Sequence, residues 1–412
     1  MSSSSLTVAP SYRALLEVPS LWRVLLGMSI ARVAGAMVSV AMVLFTLTEY
    51  HSPALAGLVT FVSIMPGLLL SPIAGALLDR HGRSRLVIVD YVVAAASMWL
   101  IGGLAIAGVL SPALLVLIAA ISSLTGPLST TGLRSLLPLI VPPPLWERAN
   151  AVDSNGYVMA SLLGPPIAGA LVGIFGGPTA LIAIGGVFGV AAIVLIRIPD
   201  PATDTVSTGS LLVDAWQGLV YTVRHATLRA LALSISTGNV AGGIAQIVIP
   251  ILVLVQLGLG PAVVGLVWAA TGLAGMAAAF LFGRVDTRGR EKRLMFVPQL
   301  GMAAATLLLI PVATRQAIDP ALGLALIAVS LGLIGFLNGP LDVSLFTVRQ
   351  RRTDPAWTGR AFAVSMSLNY VGMPIGSAVG GALVVWSVVA AILLAVAANA
   401  VAAVLTWRLL PD

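Results

Sequence analysis

Apolar residues run in long unbroken blocks, separated by short polar stretches, from Leu21 to the end of the chain. A helix needs about 20 apolar residues to cross a bilayer. Taken at that length, the pattern gives about twelve spans, from Leu21–Thr48 through Pro261–Phe282 to Val385–Trp407. The last two, Thr358–Leu383 and Val385–Trp407, are divided only by Val385-Trp386-Ser387. The blocks are continuous rather than alternating, which argues against transmembrane β-strands. A bilayer also forces each spanning segment to satisfy its own backbone polar groups. The fold class is therefore an all-α polytopic membrane protein.

The polar breaks carry a second pattern. The segment Gly75-Ala-Leu-Leu-Asp79-Arg80-His81-Gly82-Arg83 returns as Phe282…Asp286-Thr-Arg-Gly289-Arg290, 207 positions later. At the same offset Leu21 falls on Leu228, Gly35 on Gly242 and Arg32 on Asn239. At an offset of 208, Pro53, Gly57 and Gly67 fall on Pro261, Gly265 and Gly275, and Gly164 and Pro166 on Gly372 and Pro374. The chain thus reads as two pseudo-symmetric six-helix halves, residues 21–197 and 228–412. A tail, residues 1–20, precedes them, and a linker, residues 198–227, joins them. Pro199–Thr208 is polar and flexible in composition. Leu211–Arg224 predicts an amphipathic helix lying on the membrane surface.

Composition sharpens the class. The 412 residues are 58% hydrophobic and 9% charged, with a mean hydropathy of +1.05. A soluble domain carries about 25% charged residues. The net charge of +7 does not point to nucleic acid, because the cations sit between apolar blocks. One side collects Arg13, Arg80, Arg83, Arg85, Arg148, Arg197, Arg224, Arg229, the Arg284–Arg293 cluster, Arg349, Arg351, Arg352, Arg360 and Arg408; the other has Arg315 alone. The positive-inside rule makes the first side cytoplasmic, with both termini there. Residues Met1–Pro19 have no apolar core of a cleavable signal. Use of Arg over Lys, with Lys292 alone, suggests a GC-rich bacterial genome and the bacterial inner membrane.

At the motif level the chain resembles the major facilitator superfamily over essentially its whole length. Asp79-Arg80-x-Gly82-Arg83 after Gly75 is similar to its loop between the second and third helices. Gly164-Pro165-Pro166-Ile-Ala-Gly169 resembles the fifth-helix motif of its drug:proton antiporters, a branch that includes multidrug and siderophore exporters. The resemblance implies a substrate site between the halves near the midplane and transport by alternating access. Many such antiporters carry an acid inside the first helix; Arg32 stands there in this chain.

Several residues are candidates for mechanism. Gly82 permits a tight turn between helices, Asp79 suits a helix N-terminus, and Arg83 can bridge to an acid on a facing helix. With Gly75 and Arg80 they form a candidate conformational latch, repeated at Asp286, Gly289 and Arg290; the alternative is that these charges only fix topology. Arg32 lies about ten residues, or ~15 Å, inside the first span. Placing it in the bilayer costs about 2.5–3.5 kcal/mol, so it is expected to face a cavity, as a substrate or ion partner or as half of a buried ion pair. Asp342 and Asp90 are the proton-coupling candidates, each with a structural ion pair as the bland reading: Arg290 for Asp342, Arg134 or Arg32 for Asp90. Asp153 is expected to cap the fifth helix. Candidates for the substrate cavity are Arg32, Asn239, Gln246, Arg134, Asn155, Asn338, Asn369 and Tyr370, with interhelical hydrogen bonds the commoner alternative. Gly164, Pro165, Pro166 and Gly169 are expected to bend the fifth helix and admit a close neighbour.

There is no cysteine, and the three histidines, at 51, 81 and 225, fall outside the spans. An intramembrane enzyme needs a nucleophile and base, or metal ligands, at membrane depth. The sequence therefore reads as no enzyme, with no metal site and no cofactor. No Gly-x-x-x-x-Gly-Lys-Ser/Thr loop for ATP occurs. The expected function is secondary active transport, as a proton-coupled exporter of small amphipathic compounds, drug- or siderophore-like. The alternative is an uncoupled facilitator or importer of a small metabolite. The expected partners are a small-molecule substrate, protons and the lipid bilayer, with a monomeric chain and no nucleic acid.

Overall fold

The computed structural model describes residues 12–196, 198, 211–282, 287–314, 318–354 and 358–411. Among them, twelve helical segments are long and apolar enough to cross a membrane. Spans 1 to 6 are Leu21–Tyr50, Pro53–Ser71, Arg83–Ile106, Pro112–Gly132, Arg148–Phe175 and Gly177–Leu195. Spans 7 to 12 are Ala226–Gln256, Pro261–Phe282, Glu291–Ala313, Pro320–Arg352, Val364–Trp386 and Val388–Leu409. An even number of crossings puts both ends of the bundle on one face, called here the termini face.

Four spans are interrupted, and proline explains where. Span 2 breaks between Val62 and Met65, span 4 between Ser123 and Gly126, span 9 between Leu307 and Ile310. In each case the second helix carries proline at its second position: Pro66, Pro127 and Pro311. Proline lacks an N–H and crowds the preceding turn, so it is tolerated in a first helical turn and breaks the run before it. Span 11 breaks at Val371, shortly before Pro374. Span 5 behaves differently: its helix, Trp146–Phe175, runs unbroken through Pro165 and Pro166. Span 7 ends in a π-helical turn, Leu252–Gln256.

Leu211–Arg224 is helical. It packs on the helix Met65–His81, on span 7 and on the helix Thr358–Tyr370. Thr222 is fully buried, whereas Val213, Trp216 and Val223 stay exposed. The helix is thus part of the base of the bundle as well as amphipathic.

The halves meet in two symmetry-related seams, span 2 with span 11 and span 5 with span 8. Both seams are built from backbone. A methyl group at Gly57 would overlap the Ser377 carbonyl and lie 3.0 Å from Gly381 Cα. One at Gly265 would overlap the Pro165 carbonyl and lie 2.8 Å from Pro166 Cα, and one at Gly169 would come within 2.6 Å of the Pro261 carbonyl. Lipid tails are as apolar as the helices, so such contacts hold by close van der Waals packing rather than by a hydrophobic drive. Pro53 and Pro261 begin their spans on the face opposite the termini, so both seams close that face. Nearer the termini the halves also touch through Ser71 Oγ and Ser367 Oγ, 2.9 Å apart.

Candidate functional site

Spans 1 and 7 decide which face is open. Val40 to Thr46 are all buried, seven residues in a row, and so are Ile247 to Val253, their counterparts 207 positions on. A helix buried all round for two turns has protein on every side. Both segments lie in the half of the membrane away from the termini. Toward the termini the same helices expose one face, at Ser39 and Gly242 and partly at Arg32 and Asn239. The structure is closed at the far face and open toward the termini.

Two cavities lie on that path, one in each half, and Gln246 of span 7 lines both. The N-terminal cavity holds about 370 Å³ and the C-terminal one about 210 Å³.

The N-terminal cavity contains charge. Arg32 Nη2 pairs with Asp153 Oδ1 at 2.7 Å, and Nη1 donates to the Asp153 backbone carbonyl at 2.7 Å. The guanidinium also stacks over the Tyr157 ring, 3.7 Å from its centroid. Gly156 makes the room: a methyl group there would come within 2.9 Å of Arg32 Nη1. This corrects the expectation for Asp153. It lies inside the fifth-span helix, two turns from Trp146, and caps nothing. A carboxylate there is held by the cation it faces across the bundle, which outweighs a local capping bond once both are out of water. Arg32 is thus half of a buried pair and a wall of the cavity at once.

Asp90 lines the same cavity and is 6% exposed. Its neighbours are the hydroxyls of Thr125 and Ser129 on span 4, and neither Arg32 nor any other cation among the described residues pairs with it.

The C-terminal cavity contains amides instead. Asn239, where the first half has Arg32, donates through Nδ2 to the Asn369 carbonyl at 2.8 Å. Gln299 accepts from Thr406 Oγ1 at 2.8 Å. Asn338 and Asn399 complete the polar wall. Asn399 and Gln299 had escaped the sequence reading; each is a lone polar residue within an apolar run, a signal shared with ordinary helix-packing residues.

Other candidates are placed elsewhere. Asp342 is exposed and forms no ion pair among the described residues, with Arg290 or otherwise. Asn155 is exposed on the side of its helix away from Asp153, and Tyr370 is exposed at 49%. Asn369 is buried beside Arg349 of span 10, and its side-chain oxygen accepts from Arg349 Nη2 once the amide is oriented for that bond. Arg349, one of the cations grouped on the termini side, is 1% exposed, with Nη1 2.7 Å from Met366 Sδ. The reason is its neighbour helix, Thr358–Tyr370, which folds over it.

The repeated loop keeps its turn in both copies. Gly82, between helices Met65–His81 and Arg83–Ile106, has φ +91°, and Gly289 has φ +69°. Residues with a Cβ are disfavoured there. In the second copy Glu291 pairs with Arg351 at 3.1 Å, tying span 9 to span 10. Arg80 and Arg290 are exposed. Gly75 and Asp79 fall on the helix Met65–His81, but their surroundings, the Arg134 side chain and all of Asp286 lie outside the described residues. Gly164 meets Ala36 of span 1, and Gly169 meets Gly265 of span 8, so two sides of one helix serve its own half and the other half.

Twelve spans, a two-fold repeat and cavities meeting at the middle of the membrane define a multi-pass membrane transporter of small molecules, not an enzyme. Residues 24–315 and 231–412 match the Major Facilitator Superfamily, and the chain belongs to it. It is 38% identical over 407 residues to the "Uncharacterized MFS-type transporter y4rN" of Sinorhizobium fredii (strain NBRC 101917 / NGR234), covering 98% of each chain. It is 26% identical over 381 residues to the "Multidrug efflux pump Tap" of Mycolicibacterium fortuitum, covering 86% of this chain and 87% of that one. Among solved structures, the nucleoside transporter NupG superposes with a TM-score of 0.74 at 11% identity, covering 96% of this chain and 100% of that one. That likeness concerns the fold.

Proposed function

We propose that this transporter is a proton-coupled exporter of small amphipathic compounds, working as a monomer by alternating access. Both termini lie in the cytoplasm of a bacterium, as the arginine distribution argues. The structure is then the state that loads from inside. Asp90 carries the coupling reading: a carboxyl group on the cavity wall whose partners among the described residues are the hydroxyls of Thr125 and Ser129. A carboxylate without a cation is costly at membrane depth and marks ion pathways. A proton or a substrate group can each relieve that cost, and competition between them suffices for exchange. The resemblance to a multidrug efflux pump supports outward transport of amphipathic cargo.

The test uses inside-out vesicles with an imposed proton gradient and a pH-sensitive dye. Tetraphenylphosphonium and chloramphenicol are added in turn, to the wild type and to Asp90→Asn and Asp342→Asn. Substrate-driven proton movement is expected in the wild type and in Asp342→Asn, and absent in Asp90→Asn. Loss in Asp342→Asn alone moves the coupling site to span 10. Counterflow of labelled compound without proton movement overturns antiport in favour of an uncoupled facilitator. That second reading draws on Arg32, already neutralised by Asp153, at the place where many antiporters have an acid.

A further inference from the structure

The C-terminal cavity contains more hydrogen-bonding capacity than the protein uses. Gln246 Oε1 has no hydrogen-bond partner among the described residues and no surface open to water. The side chains of Asn338 and Asn399 form no hydrogen bond among the described residues, although Asn399 is only 6% exposed. Thr271 Oγ1, on the wall contributed by span 8, is also buried without a partner among the described residues. Nearly all buried polar groups in proteins are satisfied, and each exception asks for a reason. Leaving one unmet costs about 1–3 kcal/mol, whereas an apolar replacement of the same shape is close to neutral. Helix packing alone therefore favours leucine, methionine or valine at these places.

We infer that the C-terminal cavity is a binding subsite for the uncharged, hydrogen-bonding part of the substrate: an amide, carbamate or vicinal diol attached to an apolar body. Such a group presents an N–H or O–H to Gln246 Oε1 and an oxygen to the amide N–H groups of Asn338 and Asn399. Rotation about the terminal bonds of Gln246 turns its oxygen toward either cavity, so one side chain can stay with the ligand as the halves move. The rest of the lining, including Trp268, Met302 and Leu331, is apolar and fits the body. A wall of neutral amides offers no countercharge, so this subsite does not recognise a permanent cation. A site built to bond a ligand's donors also rejects ligands that lack them, because its own groups are then left unpaired. The inference rests on reading the paired cavities as the substrate site, and it adds the class of group that the C-terminal one accepts.

The test compares two probes on purified transporter in lipid nanodiscs, by calorimetric titration. Chloramphenicol is uncharged, with a secondary amide, two hydroxyls and an aryl body; tetraphenylphosphonium is a lipophilic cation without a donor or acceptor. The variants are Gln246→Met, Thr271→Val and Asn338→Leu, with thermal unfolding measured alongside. Each neutral hydrogen bond is worth about 0.5–1.5 kcal/mol, so each variant is expected to weaken chloramphenicol about 3–10-fold. Tetraphenylphosphonium binding is expected to change less than twofold, and thermal stability to hold or rise. Equal weakening of both probes, or a variant that unfolds several degrees lower, means that these groups bond within the protein, and overturns the inference. Failure of the wild type to bind chloramphenicol while it binds tetraphenylphosphonium overturns it too, and leaves the exporter reading standing. Chloramphenicol binding that follows the variants, without proton movement in vesicles, sustains the subsite and rejects the coupling.

Discussion

The two halves of this transporter share a frame and differ in what they put into it. At one repeat position the first half has Arg32, locked to Asp153 and stacked on Tyr157; the second has Asn239, bonded to a backbone carbonyl. The first cavity has a carboxylate, Asp90, and the polar groups of the second, among the described residues, are amides, hydroxyls and the Trp268 indole. Charge inside a membrane is expensive and long-ranged, while a neutral hydrogen bond is cheap and local. Under the function proposed above, one half responds to protons and the other reads shape and hydrogen bonding. A repeated fold can divide two tasks by changing a few side chains and leaving the helices alone.

The largest effect that tests this contrast comes from the paired positions themselves. Arg32→Ala strands Asp153 without its cation, and breaking a buried pair from one side costs about 3–5 kcal/mol. A marked fall in thermal stability is expected, recovered in large part by Arg32→Met combined with Asp153→Leu. Similar losses in single and double variants would mean that the pair matters for packing and not for charge. A smaller effect concerns the seams. Gly265→Val overfills a backbone contact, at a cost of about 1–3 kcal/mol to the state closed at the far face. The native chain has no cysteine, so single cysteines report on access: labelling of Ser39→Cys should fall and that of Thr46→Cys should rise. Unchanged labelling would place the closing contact elsewhere. Gly82→Ala and Gly289→Ala each force a Cβ into a positive-φ turn, costing about 1–2 kcal/mol. Unequal losses in unfolding experiments would show that one copy of the loop is more firmly packed. The smallest effect is expected at Asn239→Ala, about 1 kcal/mol for one neutral hydrogen bond. A loss there as large as that of Arg32→Ala would erase the contrast between the halves.

Much of the frame was legible from the sequence because its causes are local. Span length and the glycine turns depend on residues within a few positions of each other, whereas proline misled: the expected bend at Pro165 and Pro166 falls in an unbroken helix, and the breaks come before Pro66, Pro127, Pro311 and Pro374. Arg32 was recognisable as an anomaly for the same reason, since a cation ten residues inside an apolar run needs no partner to be noticed. Its partner was not recognisable. Asp153 is 121 positions away and near the start of a helix, where a capping role is the ordinary inference. Arg349 illustrates the converse: it sits at the end of a span beside Arg351 and Arg352, like any solvated end charge, until a neighbouring helix covers it. The amides of the second cavity lie between these cases. Asn239, Gln246 and Asn338 stood out as polar points on apolar helices, but whether such a point bonds within the bundle or faces a void depends on packing across six helices.

The π-helical turn Leu252–Gln256 falls where the spacing of the two halves differs. Val40–Thr46 and Ile247–Val253 correspond at an offset of 207, whereas Pro53 and Pro261 correspond at 208. The second half therefore has one residue more than the first between those two landmarks. A wider turn accommodates one extra residue without rotating the helix on either side. The turn sits between the two landmarks and takes up the added length where the chain leaves the bundle, so the two halves keep their phase on either side of it.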